Sequence, residues 1–131
     1  MFLKQENKIW VAKCGVPVYM YPKMSTRHGL IAGATGTGKT ITSKVLAEAF
    51  SDMGVPVFMA DIKGDVSGLG MQGEINEKIA SRIEKLGVTG FTTAAYPVRF
   101  FDVYGKKGIP ARATISEMGP DLLARLLELN D

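Results

Sequence analysis

The sequence is poor in the residues that build disulfide frameworks and histidine metal sites, with one cysteine and one histidine in 131 residues. The single Cys14 excludes an intramolecular disulfide, and we therefore expect a cytoplasmic protein. The net charge of +3 is too small to identify or exclude a nucleic-acid partner. The longest apolar runs, such as residues 55–60, are far shorter than the ~20 residues of a membrane span, so no membrane partner is expected.

Glycine is abundant by contrast, since the chain has 15 glycines where the average share is ~7%. The hydrophobic share of 46% and the charged share of 22% are typical of a globular protein and argue against intrinsic disorder. A chain of 131 residues has room for about one domain. The positions of the glycines, rather than the overall composition, therefore carry the functional information.

The hydrophobic pattern changes period several times along the chain. Residues 8–21 alternate in the manner of one or two strands, with breaks predicted at Gly15 and Pro17. Apolar runs predict further strands at 28–32, 55–60 and 97–103, the first two of them buried. Apolar residues three and four apart predict helices from Lys39 to a stop at Gly54, from 75 to 86, and from Gly119-Pro120 onward.

This alternation of strands and helices predicts an α/β fold with a mainly parallel sheet flanked by helices. We divide the chain into N-terminal strands and a loop, residues 1–27, and a core region, residues 28–131. Residues 61–73 form a glycine-containing loop directly after a predicted strand. In open α/β sheets this edge is where ligands bind, so the charged start of that loop, Asp61 to Asp65, is a candidate site.

The segment Gly33-Ala34-Thr35-Gly36-Thr37-Gly38-Lys39-Thr40 fits the P-loop pattern G-x-x-x-x-G-K-[ST], also called Walker A. It follows a predicted strand and begins a predicted helix, which is the context that phosphate binding requires. Glycines permit the tight turn that aims backbone N–H groups at phosphates, and the helix N-terminus adds positive charge. The segment therefore predicts binding of a nucleoside triphosphate with Mg²⁺.

Roles within this segment follow from the same chemistry. Lys39 is predicted to reach the β- and γ-phosphates and to act in catalysis, and the Thr40 hydroxyl to ligate Mg²⁺. Asp61 is a second candidate for the Mg²⁺ shell, with capping of its own loop as the alternative. An aspartate at this distance also occurs in dinucleotide-binding folds, but Lys39 and Thr40 argue against that interpretation. The predicted nucleotide contacts are Gly33, Ala34, Thr35, Gly36, Thr37, Gly38, Lys39, Thr40 and Ile41.

Several segments together resemble a known family. The segments that carry the resemblance are residues 27–32 running into the P-loop, residues 55–65, Pro97 to Val103 and Ile115 to Pro120. On these segments the chain resembles bacterial HerA-like ATPases of the YjgR type, which belong to the HerA/FtsK group of P-loop motors. The resemblance implies a RecA-like ATPase core, ATP as the nucleotide, ATP hydrolysis, a homo-oligomeric ring and DNA translocation. It carries over Lys39 and Thr40 as nucleotide and Mg²⁺ contacts. It leaves the roles of Asp61, Lys63 and Asp65 open and counts against Asp61 as the Walker B acid.

The same resemblance implies a Walker B strand and a catalytic glutamate that this chain does not contain. We therefore expect the chain to be the N-terminal portion of the ATPase and its core to be incomplete. Two alternatives stay open at this point. A phosphotransferase of the kinase type uses the same P-loop, and a nucleotide-binding module can bind without turnover. A substrate pocket with paired basic residues would favour the first, and absence of hydrolysis the second.

Overall fold

The computed structural model describes residues 1–128, and the chain divides into two compact units. The first unit runs from Met1 to Val98, and the second begins at Arg99. The secondary structure comprises five strands and three α-helices within the described residues. In the same residues no helix is both long enough and apolar enough to cross a membrane.

The first unit opens with an antiparallel sheet of three strands in the order β1 (Phe2–Leu3), β2 (Lys8–Cys14) and β3 (Val16–Met20). Gly15 turns the chain between β2 and β3 with a φ of 69°, so the predicted break at this residue is confirmed. The break predicted at Pro17 is wrong, because Pro17 lies inside β3 opposite Lys13. Within the described sheet β3 pairs with β2 alone, and an edge strand tolerates a residue that has no N–H to donate.

Helix α1 (Lys39–Asp52) packs against β1 and β2 and forms the core of the first unit with them. Ile9 and Ala49 are fully buried, and Ala47 is nearly so. The helix ends as predicted, because Gly54 adopts a φ of 76° and its N–H donates to the carbonyl oxygen of Ser51. The buried alanines lie in the second half of α1, whereas the first half adjoins the P-loop and contributes no fully buried residue.

Helix α2 (Glu77–Leu86) has a signal at each end that its sequence displays. The Asn76 side-chain oxygen accepts a hydrogen bond from the Ile79 N–H at 3.0 Å, and Gly87 ends the helix with a φ of 65°. The predicted end at Gly87 is therefore confirmed. The Lys13 ammonium of β2 donates to the Leu86 carbonyl oxygen at 2.9 Å, which connects the antiparallel sheet to the last turn of α2.

The predicted buried strands at 28–32 and 55–60 are not found among the described residues. Neither segment has a strand assignment, and Leu30 and Phe58 are each 90% exposed. An apolar run indicates that a segment suits burial, but a strand also needs a neighbour to accept and donate its backbone hydrogen bonds. The parallel sheet and the RecA-like core therefore stay predictions that depend on partners for these two segments.

The second unit contains β4 (Phe101–Asp102), β5 (Ile109–Pro110) and α3 (Ile115–Leu126). Strands β4 and β5 pair in parallel, so the strand predicted at 97–103 shortens to two residues. Gly108 lies tightly against the strand pair, since a Cβ there would lie 2.7 Å from the Phe100 carbonyl oxygen. The last helix begins earlier than predicted, because the Thr114 and Glu117 side chains form a reciprocal capping box. Gly119, with a φ of 70°, kinks α3 at the point where its start was expected.

Candidate nucleotide-binding site

The P-loop bends into the start of α1 through glycines in the left-handed region. Gly36 has a φ of 81°, and Gly38, the N-cap residue of α1, has a φ of 96°. Residues with a side chain rarely adopt these angles, so both positions favour glycine. The first turn of α1 contains no acidic side chain, so the partial positive charge of the helix N-terminus is not neutralised from within the helix.

Gly33 is favoured for a different reason, which is the close approach of Thr37. A Cβ at this position would lie 2.6 Å from the Thr37 hydroxyl oxygen. That hydroxyl donates to the Ala34 carbonyl oxygen at 2.8 Å, and the Thr37 N–H approaches the same oxygen at 3.4 Å. The loop is therefore closed on itself by local hydrogen bonds, and an alanine at 33 would have to displace Thr37.

The Lys39 side chain folds back over the loop. Its ammonium donates to the carbonyl oxygen of Gly33 at 2.8 Å and to that of Ala34 at 2.7 Å. These two oxygens hold the positive charge above the loop and beside the helix N-terminus. Phosphate oxygens are stronger acceptors for an ammonium than neutral carbonyl groups, so an anion entering the loop can replace them.

An open cleft of about 380 Å³ lies between the start of α1 and the segment 59–66. One wall contains Lys39, Thr40 and Ser43 of α1 together with Ile31. The second wall contains Met59, Ala60, Asp61, Ile62, Lys63, Asp65 and Val66. The charged segment that follows the predicted strand thus lies across a cleft from the P-loop helix. Of the other predicted contacts, Ile41 is exposed on α1, and Ala34, Thr35 and Gly36 lie in the exposed loop.

Asp61 organises the second wall of this cleft. One carboxylate oxygen accepts from the N–H groups of Gly64 and Asp65 at 2.8 and 3.1 Å, and the other accepts from Val66 at 3.1 Å. Partial desolvation opposes ionisation, but these hydrogen bonds outweigh it and hold the pKa of Asp61 below its ordinary value of 3.8. Three of roughly four acceptor positions on the carboxylate are therefore used by the backbone. This geometry supports the capping alternative for Asp61, and its predicted role toward Mg²⁺ stays a prediction.

Sequence reasoning overlooked one polar residue of the cleft, Ser43. It lies three residues after Thr40 on α1, so helical spacing alone places both on one face. Its hydroxyl donates to the Lys39 carbonyl oxygen at 3.2 Å. The residues that could face Mg²⁺ here are the Thr40 hydroxyl and the Asp65 carboxylate, which are oxygen donors of the kind that this metal prefers. In the described residues, no group of three or more His, Cys, Asp or Glu side chains is arranged to hold a metal ion.

Comparison with known proteins identifies the family. The family model described as helicase HerA-like C-terminal matches residues 6–131, a range that includes the P-loop and the Asp61 segment. No curated protein and no solved structure matches the chain. The resemblance to HerA-like proteins is thus confirmed at the level of the family. With almost its whole length matched, the chain belongs to the helicase HerA-like C-terminal family.

Proposed function

We propose that this chain binds a nucleoside triphosphate with Mg²⁺ through Gly33 to Thr40, as part of a HerA/FtsK-type ATPase that hydrolyses ATP. The observation that supports this most directly is the Lys39 ammonium, held over a glycine loop at the start of α1. The family match supports the ATPase class, since the family is described as helicase-like. We also propose finer assignments: membership of the YjgR type, a place for this chain in the N-terminal portion of the ATPase, assembly into a ring, and DNA translocation.

In this proposal the loop binds phosphates by exchange of partners. Lys39 leaves the carbonyl oxygens of Gly33 and Ala34 and donates to the β- and γ-phosphates instead. Gly36 and Gly38 supply the positive φ angles of the turn, and the unneutralised N-terminus of α1 adds favourable charge. The Thr40 hydroxyl would hold Mg²⁺, with the Asp65 carboxylate facing it from the second wall, and the bound metal would supply positive charge to the phosphates.

The decisive measurement is nucleotide titration of the Lys39→Ala chain with Lys44→Ala as a matched control on the same helix. Removing Lys39 deletes hydrogen bonds to a charged ligand, so we expect a loss of roughly ten- to several-hundredfold in Mg-ATP affinity. Lys44→Ala removes the same charge outside the cleft and is expected to change affinity less than about threefold. Equal affinities for the Lys39→Ala and unsubstituted chains would overturn the proposal.

A second variant tests the role of Thr40. Thr40→Ala is expected to weaken Mg-ATP binding by about two- to tenfold, because it removes one contact about as strong as a hydrogen bond. Binding of ATP in the presence of a chelator is expected to stay nearly unchanged, and Thr40→Ser to bind normally. An equal loss with and without Mg²⁺ would show that the hydroxyl does not act through the metal. Phosphate release measured on the same samples separates an ATPase from a module that binds without turnover.

A further inference from the structure

The second wall of the cleft contains a lysine that the P-loop motif does not include. Among P-loop residues, Lys39 and Thr40 line the cleft, whereas Gly33 to Gly38 do not. In a P-loop the lysine and the hydroxyl residue serve the β- and γ-phosphates and the metal, while the glycine-rich backbone serves the phosphates nearer the nucleoside. The cleft therefore lies at the terminal-phosphate end of the loop, and Lys63 lines it from the opposite side.

The backbone that carries Lys63 is fixed on both sides of the residue. Asp61, two residues before it, accepts three backbone N–H groups from Gly64 to Val66. Gly64, directly after it, has a φ of 79° and supplies the sharp turn. Since the loop is ordered by its own hydrogen bonds, a ligand contact from Lys63 would not need to order the backbone first.

The charges of the loop are also distributed in favour of an anion. The negative charge of Asp61 is directed at backbone N–H groups, and no hydrogen bond or ion pair of the described chain involves the Lys63 ammonium. The Asp65 carboxylate also lines the cleft and would repel a bare phosphate, but it is compatible with a phosphate whose charge is shared with Mg²⁺. The wall thus offers one cation without an internal partner, facing the end of the loop that holds the terminal phosphate.

We propose that Lys63 contacts the γ-phosphate from the wall opposite Lys39, and that this contact makes the cleft discriminate nucleoside triphosphates from diphosphates. The inference rests on the proposed function, because it requires that the P-loop bind the nucleotide. It assigns a specificity-determining role to the Asp61–Asp65 segment, in which Asp61 is the positioning residue and Lys63 the contact. In this proposal a diphosphate lacks the phosphate group that Lys63 contacts.

The test compares binding of a non-hydrolysable ATP analogue with binding of ADP, both with Mg²⁺. We expect Lys63→Ala to lower the affinity for the analogue by about tenfold, which is the effect of one hydrogen bond to a charged group. The affinity for ADP is expected to change less than about twofold. Lys63→Arg keeps the charge and is expected to retain most of the discrimination. Lys78→Ala, an exposed lysine of α2 outside the cleft, controls for the loss of one positive charge and is expected to alter neither affinity.

The outcomes separate this inference from the proposed function. An equal loss for both nucleotides in Lys63→Ala, or no loss for either, overturns the role of Lys63 while the P-loop proposal stands. Failure of the unsubstituted chain to bind either nucleotide overturns both proposals. Lys63 is exposed, so the variants are expected to fold, and circular dichroism of each variant verifies this.

Discussion

The loops that follow Asp61 and Asp102 share a sequence pattern and a set of hydrogen bonds, yet they occupy different surroundings. Each has a glycine three residues after the aspartate, Gly64 and Gly105, with φ angles of 79° and 63°. In each loop the carboxylate accepts three backbone N–H groups. The first loop lines the cleft beside Lys39 and Thr40, whereas the second connects β4 to β5 in the second unit.

The comparison shows that an aspartate at the end of an apolar run can order its own loop through backbone N–H groups. The Asp102 carboxylate orders a six-residue connection, 103–108, between parallel strands that normally require a much longer one. Asp61 makes the same kind of contacts. What distinguishes the first loop is the pair of side chains, Lys63 and Asp65, that its geometry presents to the cleft.

The two loops are expected to differ most in the change of nucleotide affinity that follows removal of the aspartate carboxylate. Asp61→Ala removes the hydrogen bonds that order the loop carrying Lys63. We therefore expect ATP affinity to fall by about tenfold, both in the presence and in the absence of Mg²⁺. Asp102→Ala is expected to change affinity less than about twofold, because its loop contributes no residue to the cleft. Isothermal titration of both variants measures this. A loss for Asp61→Ala that appears only with Mg²⁺ would instead assign Asp61 to the metal.

The shared glycine tests whether the loops are equivalent as folded structure. Gly64→Ala and Gly105→Ala each place a side chain at a positive φ, which costs about 1 kcal/mol of folding stability. The loss should be somewhat larger at 105, because the new Cβ would also lie 3.3 Å from the Pro110 side chain. Gly73→Ala, in open space and without a positive φ, is the control and is expected to be neutral or slightly stabilising. Urea denaturation of the three variants gives the ranking, and a stable Gly64→Ala would contradict the shared geometry.

The smallest effect concerns pH and is expected to be similar in both loops. Partial desolvation opposes ionisation of Asp61, but backbone hydrogen bonds outweigh it and lower the pKa below the ordinary 3.8. The N–H groups of Lys107, Tyr104 and Lys106 lower the pKa of Asp102 below the same value. A carboxyl with a lowered pKa stabilises the fold above the unfolded value, and this contribution disappears as pH falls through the folded pKa. Titration of the carboxyl carbons by NMR, with the urea-unfolded chain as reference, checks the direction. A folded pKa at or above the reference for either residue would end the parallel between the loops.

Local signals in the sequence predicted the local structure well. The P-loop glycines, the end of α1 at Gly54 and the end of α2 at Gly87 follow from residues within a few positions. The start of α3 was also readable, because Thr114 and Glu117 form a capping box, but Gly119-Pro120 was the more conspicuous signal. The kink at Gly119 explains why both signals are present in one helix.

The strands and the role of Asp61 depended on information that is not local. Whether 28–32 and 55–60 pair as strands is decided by partners distant in the chain, and an apolar run does not name them. The support for Asp61 as the organiser of its own loop came from the direction of three backbone N–H groups, and its role toward Mg²⁺ stays a prediction. The sequence predicted that Lys63 and Asp65 belong to a candidate ligand site. That they line one cleft with Lys39 could be seen only in the structure.

The burial of Ala47 and Ala49 on α1, which packs against β2, has a thermodynamic consequence for the N-terminal sheet. Helix α1 begins within the P-loop motif and contributes its second half to the core of the first unit. A ligand that binds only the folded form adds its binding free energy to the stability of everything that unfolds with that helix. On the proposed function, we expect the amide hydrogens of β2, which is remote in sequence from the loop, to exchange more slowly with solvent as nucleotide is added.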